Sequence, residues 1–368
     1  MINIPALATG TRTTLGGVPN GAEALALARL AESGGDVLFV APDDRVLAQT
    51  AAALAFFAPN LACLQFPAWD CLPYDRVSPN SGIVGRRLEC LGRLAGDAGK
   101  GGRIILATVS GVLQRVPAPT VLAATTVELK AGARIDPGEM IRALDHAGYR
   151  RAETVMEPGE FAMRGGIVDV FPPATEAPLR LDFFGDELET MRPFDPASQR
   201  SLADAVPPKA LLLGPVSEVL LDADAISRFR SGYRAMFGAS GADDPLYEAV
   251  SAGERMIGME HWLPLYHADL VTLFDYLPEA MVVLDQDVAG ALEARLELIV
   301  EYFQARLEVA GKTSDDATVY RPVPPATLFL DEAEWEAALG KRAVAALTPF
   351  SAPSDGSASV DLGGTRGR

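Results

Sequence analysis

Three short, strongly apolar runs, at residues 36–42, 104–107 and 281–287, constrain the fold of this chain more than any other feature. A run of this kind is typical of a strand that is buried on both faces of a parallel sheet. Segments rich in helix formers lie before, between and after these runs, at residues 22–32, 45–59 and 292–310. Because strand and helix alternate at the spacing of βαβ units, the sequence predicts an α/β fold.

The middle of the chain has a different pattern. Residues 159–173 and 177–195 alternate apolar and polar side chains, as half-buried strands do. Gly185 and Asp186 lie between two alternating runs and predict a tight hairpin turn. This part of the chain, from about residue 119 to residue 205, is therefore predicted to form a small, partly antiparallel domain.

The chain is acidic, since 32 Lys and Arg residues against 49 Asp and Glu residues give a formal net charge of −17. A uniformly acidic surface repels phosphate backbones, which argues against non-specific DNA binding by the whole chain, although a local basic face is compatible with this total. No apolar run reaches the roughly 18 residues of a membrane span, and the N-terminus lacks the pattern of a signal peptide. We therefore expect a cytoplasmic protein without membrane contact.

The histidines and cysteines form no pattern typical of a metal or catalytic site. The three histidines lie outside any H-E-x-x-H motif and away from a cysteine pair, and the three cysteines form no C-x-x-C pair. The G-x-S-x-G motif of α/β hydrolases is absent as well. The sequence therefore predicts neither a metal site nor catalytic residues.

Residues 16–23 read GGVPNGAE, and the spacing of Gly16 and Gly21 fits the phosphate-binding loop G-x-x-x-x-G-K-[ST]. The next two positions hold Ala22 and Glu23 in place of a lysine and a hydroxyl residue. Ala22 supplies no charge, and Glu23 would place a carboxylate where phosphates should lie. The string is thus a nucleotide site that lost its chemistry or a chance pair of glycines. As a structural residue, Glu23 would complement the dipole at a helix N-terminus.

A second short sequence, Asp285-Gln286, also bears on whether the chain has a degenerate nucleotide site. Asp285 and Gln286 end the apolar run at 281–287, where a working nucleotide site would have Asp and Glu to hold Mg²⁺-bound water. A glutamine cannot act as a base. Many strands end in aspartate, so the string is weak on its own. Beside the broken loop it indicates the second half of the same degenerate site.

The stretch LRLDFF at residues 179–184 indicates an exposed interaction surface. In a strand, Leu179 and Leu181 would face the core, while Arg180 and Phe184 would lie together on the opposite face. Arginine and aromatic residues are typical anchors of protein interfaces. The alternative is that Phe184 turns into a neighbouring element at the end of the strand, and the pattern alone leaves both open.

Several long stretches resemble a known family. Together, over about residues 10–340, they are similar to the N-terminal part of the bacterial transcription-repair coupling factors (the Mfd family), a part that itself resembles the excision-repair protein UvrB. The stretches are APDDRVLAQTAAALAFFAPN (41–60), FPAWDCLPYDRVSPNSGIVGRRLECLGRL (66–94), MEPGEFAMRGGIVDVFPP (156–173), LRLDFFGDELETMRPFDPASQRS (179–201) and GMEHWLPLY (258–266).

The resemblance implies a domain organisation. Residues 1–118 and 206–322 would form a UvrB-like α/β domain of the P-loop (RecA/helicase-like) type, split in sequence and with a degenerate nucleotide site. Residues 119–205 would form a smaller inserted α+β domain that docks on UvrA, and residues 323–368 a linker and the truncated start of a third domain. The domains that bind RNA polymerase and duplex DNA, and that use ATP and Mg²⁺, would lie outside this chain, which we therefore expect to be a fragment.

The resemblance also implies site residues. The family's UvrA-contacting positions match Arg164, Arg180 and Phe184. Arginine suits such a contact, because its planar fork pairs with carboxylates through two hydrogen bonds. Three further charged residues are either neighbours of this surface or only solvated charges: Glu160, Arg192 and Arg200.

The hypothesis that follows is a catalytically inert adaptor that needs no cofactor and recruits UvrA to a stalled transcription complex. The alternative is a UvrB-like subunit that binds ATP and damaged DNA, against which Ala22 and Gln286 argue. A third possibility is an unrelated α/β enzyme with a cleft at Glu260 and His261, although that string also fits a packing element around Trp262.

Overall fold

The computed structural model describes the chain except for residues 1–3, 5–6, 20, 33, 97–101, 203–204, 239–243, 313–319, 352–357 and 365–368. Its strands and helices are numbered here in chain order. The strands are β1 (Arg12–Gly16), β2 (Val37–Ala41), β3 (Cys63–Phe66), β4 (Ile104–Thr108), β5 (Val116–Pro117), β6 (Val127–Lys130), β7 (Arg150–Arg151), β8 (Glu160–Arg164), β9 (Ile167–Val170), β10 (Leu179–Phe184), β11 (Glu187–Pro193), β12 (Ala210–Leu213), β13 (Leu270–Val271), β14 (Met281–Leu284), β15 (Val344–Leu347) and β16 (Ser359–Asp361).

The helices are α1 (Glu23–Ala31), α2 (Asp44–Phe57), α3 (Ser81–Gly96), α4 (Val109–Leu113), α5 (Pro119–Thr125), α6 (Pro137–His146), α7 (Ala223–Phe237), α8 (Pro245–Ser251), α9 (Leu273–Tyr276), α10 (Val288–Lys312), α11 (Pro325–Leu328) and α12 (Glu332–Gly340). A 3₁₀ helix covers Met259–Leu265. None of the helices in the described part of the chain is long and apolar enough to cross a membrane.

The main sheet has seven parallel strands in the order β16-β1-β15-β14-β2-β4-β3. The three apolar runs of the sequence form β14, β2 and β4, which lie side by side near its centre. All five residues of β2 and of β4 are buried, as expected for strands covered on both faces. The predicted α/β fold with a parallel sheet is therefore confirmed.

Helices cover both faces of this sheet. Alternate residues of a strand point to opposite sides, so Leu38 and Val40 of β2 pack into a core with α3, α9 and α12, and Val37 and Phe39 pack into another core with α1 and α2. The result is a three-layer α/β domain. Its first strands, β1 to β4, precede the inserted segment, and β14 to β16 follow it.

A third core is rich in aromatic side chains and lies among α7, α8 and the 3₁₀ helix. The rings of Phe229 and Tyr266 are stacked with centres 4.9 Å apart. Trp262 of the GMEHW string is buried, its indole N–H donates to the Arg321 carbonyl at 2.8 Å, and its ring lies 4.6 Å from that of Tyr320. The string is thus a packing element around Trp262, which agrees with the second of the two interpretations of its sequence.

The inserted segment forms a five-stranded sheet in the order β11-β10-β9-β8-β7 and a two-stranded sheet of β6 and β12. In the larger sheet β7 and β8 are parallel, whereas β8 to β11 are antiparallel. The predicted hairpin turn is present between β10 and β11, and Gly185 adopts the φ of +65° that such a turn requires. One sheet face packs on α6 to form a separate core.

Two of the domain boundaries predicted from the sequence disagree with the strand pairing in the structure. β12 pairs with β6, and Leu211 and Leu213 lie in the core of the inserted domain, so that domain extends past residue 205. β15 lies between β1 and β14 in the main sheet, so the part of the chain around Val344 completes the α/β domain and does not start a third one. The sequence alone did not reveal the places of β12 and β15, because each of these strands has only four residues and pairs with a segment that is distant in the chain.

A buried polar joint connects the segment that follows β12 to the α/β domain. The Arg87 guanidinium on α3 donates to the Glu218 carboxylate at 2.6 Å, and the Trp69 indole N–H donates to the same oxygen at 3.1 Å. Arg87 and Glu218 have no exposed side-chain surface. Nearby, a Cβ on Gly85 would lie only 2.5 Å from the Pro173 side chain. Close packing therefore holds the inserted domain against α3, and the buried ion pair holds the segment that follows β12 against the same helix.

Candidate functional site

The loop after β1 has the glycine spacing of a phosphate-binding loop, but the backbone donors of Gly17 and Val18 are already occupied. The Gly17 N–H donates to the Phe350 carbonyl at 2.7 Å, and the Val18 N–H donates to the Thr348 carbonyl at 3.0 Å. In a working loop such N–H groups point at phosphate oxygens. The residues that follow β15 thus use the donors that a nucleotide would need.

The remaining described part of the loop is closed by its own side chain. The Glu23 carboxylate accepts the Gly21 N–H at 2.6 Å, and the Ala22 N–H donates to the Pro19 carbonyl at 2.9 Å. Burial raises the pKa of Glu23, although hydrogen bonds from the backbone N–H groups of Glu23 and Gly21 act to lower it. A carboxylate of the chain itself therefore lies at the N-terminus of α1, where an anion would otherwise bind.

The structure brings the second string to the same place. A cavity of about 360 Å³ is lined by Gly21, Glu23, Arg45, Asp285 and Gln286, among others. Burial raises the pKa of Asp285, whose carboxylate accepts the N–H of the second residue after it at 3.0 Å. The cavity thus carries more acidic than basic groups. Among the described residues, no group of three or more His, Cys, Asp and Glu side chains is arranged to hold a metal ion.

The predicted docking residues lie on the five-stranded sheet. Leu179 and Leu181 of β10 are buried in the core of the inserted domain, and Arg180, Asp182 and Phe184 alternate with them on the opposite side. The bulge in the pairing of β10 with β11 falls on β11, so the alternation of β10 is intact. We call the side of the sheet that carries these three residues the outer face.

Arg164 lies on the outer face as well. It pairs with Ile167 on β9, and Ile167 pairs with Asp182 on β10. Residues paired across neighbouring strands point to the same side of a sheet. The structure therefore brings all three predicted residues, Arg164, Arg180 and Phe184, onto one face.

Arg180 is engaged within the chain. Its guanidinium donates to both carboxylate oxygens of Asp169, at 2.7 and 2.8 Å, and lies 4.7 Å from the centre of the Phe194 ring. The hydrogen bond to Asp169 raises the pKa of Arg180. The side chain is only 19% exposed. The planar fork that would pair with a partner's carboxylate is thus already used inside the domain.

Phe184 and Arg164 are the exposed members of the set. Phe184 is 76% exposed, so the alternative that it turns into a neighbouring element is wrong. The Arg164 guanidinium donates to the Glu153 carbonyl and, at 2.8 Å, to the Thr154 hydroxyl, which holds an otherwise flexible side chain in place. An exposed aromatic ring and a positioned arginine on one face are the composition of a protein interface.

The three further charged residues, Glu160, Arg192 and Arg200, have different roles. Glu160 is buried, and its carboxylate accepts the N–H groups of Met156 and Glu157 at 2.8 and 3.0 Å and a guanidinium hydrogen bond from Arg150 at 2.5 Å. Burial alone would raise the pKa of Glu160, but these contacts outweigh it and lower the pKa. Glu160 is thus a structural residue and not a solvated charge.

Arg192 and Arg200 are both exposed. Arg192 lies opposite Arg180 on β11 and forms an ion pair with Asp182 at 2.6 Å. Sequence reasoning missed one outer-face residue, Ile167, which is partly exposed beside these charges. The alternation of Ile167 with the buried Val168 was the signal that could have identified it.

The Glu260–His261 string does not form an exposed catalytic pair. His261 is 1% exposed, and burial lowers its pKa to about 4. Its ring lies edge-on to Trp69 with centres 5.7 Å apart, and the Glu260 carboxylate accepts the Ser78 hydroxyl at 2.7 Å. Burial also raises the pKa of the neighbouring Cys71 thiol to about 12, which keeps it protonated and weakly nucleophilic.

This chain is similar in sequence to several known proteins. Residues 127–208 match the family described as the UvrB interaction domain. The transcription-repair-coupling factor of Haemophilus influenzae is 38% identical over 275 residues, which are 74% of this chain and 23% of that protein. The Escherichia coli factor is 33% identical over 324 residues, 87% of this chain and 27% of that protein, and the Myxococcus xanthus factor is 34% identical over 345 residues, 82% and 28%.

The chain thus spans about a quarter of the length of the curated relatives that it matches. The match to the UvrB interaction domain coincides with the domain that carries the outer face. The resemblance noted in the sequence is confirmed: over most of its length, this chain is related to the transcription-repair-coupling factors and corresponds to a part of them.

Proposed function

We propose that this chain is the UvrA-recruiting adaptor part of a transcription-repair-coupling factor, and that its inserted domain docks on UvrA. The observation that carries the proposal is the exposed Phe184 on the outer face, within the segment that matches the UvrB interaction domain. Phe184 shares this face with Arg164 and with the partly exposed Ile167, and aromatic residues and arginine are enriched in protein interfaces. Docking would recruit the excision-repair machinery to stalled transcription.

Within this proposal the outer-face residues have distinct roles. Phe184 supplies the apolar anchor and Arg164 a positioned charge, with Ile167 as a further apolar contact. Arg180 acts mainly through its ion pair with Asp169, which holds β10 to β9 and reaches solvent only at one edge. Rigid anchors lose little entropy on binding, which favours affinity.

We further propose that the α/β domain is a split, degenerate P-loop domain that neither binds nor hydrolyses ATP. The loop donors at Gly17 and Val18 are occupied, and Glu23 and Gln286 stand in the places of the Mg²⁺-binding hydroxyl and the catalytic base. ATP and Mg²⁺ use, and contacts with RNA polymerase and duplex DNA, would then belong to other parts of the full-length relatives.

Isothermal titration of the chain with purified UvrA tests the docking proposal. We expect saturable binding that Arg164→Glu weakens at least tenfold. The matched control is Arg142→Glu, the same charge change at an exposed side chain of α6, which covers the opposite side of the sheet. No binding by the wild type, or equal loss in the two variants, would contradict the proposal. Tight binding to damaged duplex DNA would instead favour the UvrB-like alternative.

A further inference from the structure

A second candidate binding surface lies on the α/β domain, whereas the outer face belongs to the inserted domain. A groove of about 770 Å³ runs between α10 and α12, above the ends of β14 and β15. Its floor contains Leu292 and Leu296 of α10, Trp335 of α12 and Leu347 of β15. Leu292 and Leu296 are only partly buried, so apolar surface remains open to solvent inside the groove. A volume of this size accommodates several apolar side chains.

The rim of the groove is acidic. Glu293 and Glu297 stand one turn apart on α10, and Glu332 and Glu336 stand one turn apart on α12. All four are exposed, and none of them forms an ion pair with the described part of the chain. Like charges one turn apart repel, as do charges on facing walls. Of the described residues that line the groove, Arg12 is the one with a positive charge.

We propose that this groove docks a basic amphipathic helix of a partner protein. The apolar floor would take the leucine-like side chains of one helix face, and lysines or arginines at one-turn spacing on its flanks would pair with the four glutamates. Charge complementarity selects this occupant. Nucleic acids and anionic lipids are excluded as occupants, because the glutamates of the rim would repel their negatively charged phosphates.

The groove is separate from the outer face, so the two surfaces can be occupied at the same time. It borders the degenerate loop, because Asp285 and Gln286 line both the groove and the smaller cavity beside Glu23. The acidic character therefore continues from one cavity to the other.

Fluorescence anisotropy with a labelled probe tests the inference. The probe is an 18-residue synthetic peptide with leucines on one helix face and lysines on both flanks. We expect binding at physiological salt, and at least tenfold weaker binding by the Glu293→Lys/Glu297→Lys variant. The matched control is Glu254→Lys/Glu308→Lys, which makes the same change in net charge at exposed glutamates outside the groove lining.

A second probe separates groove binding from general attraction to an acidic protein. A peptide of the same composition with its leucines spread around the helix should bind at least tenfold more weakly than the amphipathic peptide. Equal binding of the two peptides, or equal loss in the two double variants, would overturn the proposal. If sedimentation shows a dimer that Glu293→Lys/Glu297→Lys dissociates, the occupant is a second copy of the chain and the proposal is likewise wrong.

Discussion

The exposed ring of Phe184 offers a sharp test of the outer face. Because Phe184 is 76% exposed and belongs to no core of the described chain, Phe184→Ala removes little packing. We expect the free energy of unfolding to change by less than about 0.5 kcal/mol, as for surface substitutions in general. Any large effect of this variant on UvrA binding is then an effect on the interface itself.

The size of that effect follows from the surface available. Complete burial of a phenylalanine side chain contributes roughly 1.5–3 kcal/mol, and about three quarters of the Phe184 residue is open to a partner. The transfer contribution is therefore about 1–2 kcal/mol, and loss of a central anchor typically adds to it. We expect a loss of about 2 kcal/mol, which is roughly a 30-fold rise in Kd.

The assay is isothermal titration of UvrA with the wild type, Phe184→Ala and Phe56→Ala. Phe56 is a close match, since it is 80% exposed and lies near the end of α2 in the α/β domain, away from the outer face. Only Phe184→Ala should weaken binding. The reasoning is refuted if Phe184→Ala binds like the wild type, if both variants lose affinity equally, or if urea unfolding shows that Phe184→Ala destabilises the domain.

Three further predictions concern stability and nucleotide binding. Arg180→Ala should lower the free energy of unfolding by about 3 kcal/mol, because the buried Asp169 carboxylate loses its cation; an unchanged urea midpoint would contradict this. Calorimetric titration with Mg-ATP should be flat for the wild type and for Ala22→Lys/Glu23→Thr, since the loop donors remain occupied; micromolar binding would show otherwise. The folded-state pKa of His261 is lowered to about 4, so its stabilising effect is complete above the unfolded value of about 6.5 and is lost as the pH falls toward 4. Between pH 7 and pH 4, the free energy of unfolding measured by urea titration should therefore fall by about 3 kcal/mol less for His261→Gln than for the wild type. Equal decreases in the two proteins would contradict a buried neutral imidazole.

Local patterns in the sequence were sufficient for the centre of the fold and for the faces of the hairpin. β2, β4 and β14 were recognisable because continuous apolar runs leave little choice but a strand covered on both sides. The alternation in β10 placed Arg180 and Phe184 on the same face, since a period of two is imposed by the strand itself.

Long-range pairing could not be read in the same way. β15 is the short, alanine-rich run VAAL, whose place in the sheet depends on β1 and β14 and not on its own composition. The partner of Arg180 was equally hidden, because Asp169 lies on another strand and only the register of β9 with β10 brings them together. The occupied loop donors depend on carbonyls that follow β15, so the state of the loop is also a tertiary property.

The position of β15 determines when the polypeptide can finish folding. In the sheet, β1 has only β15 and β16 as neighbours, so β1 cannot pair until these strands, which lie far later in the sequence, have been made. Until then β1 and the open edge of β14 expose unpaired N–H and C=O groups on which another chain can assemble. The strands β8 to β11 pair with their sequence neighbours and can close early. Proteolysis of ribosome-bound chains that stop before Val344 should therefore cleave β1 readily and spare β8 to β11, whereas equal protection would show that the sheet closes without its late strand.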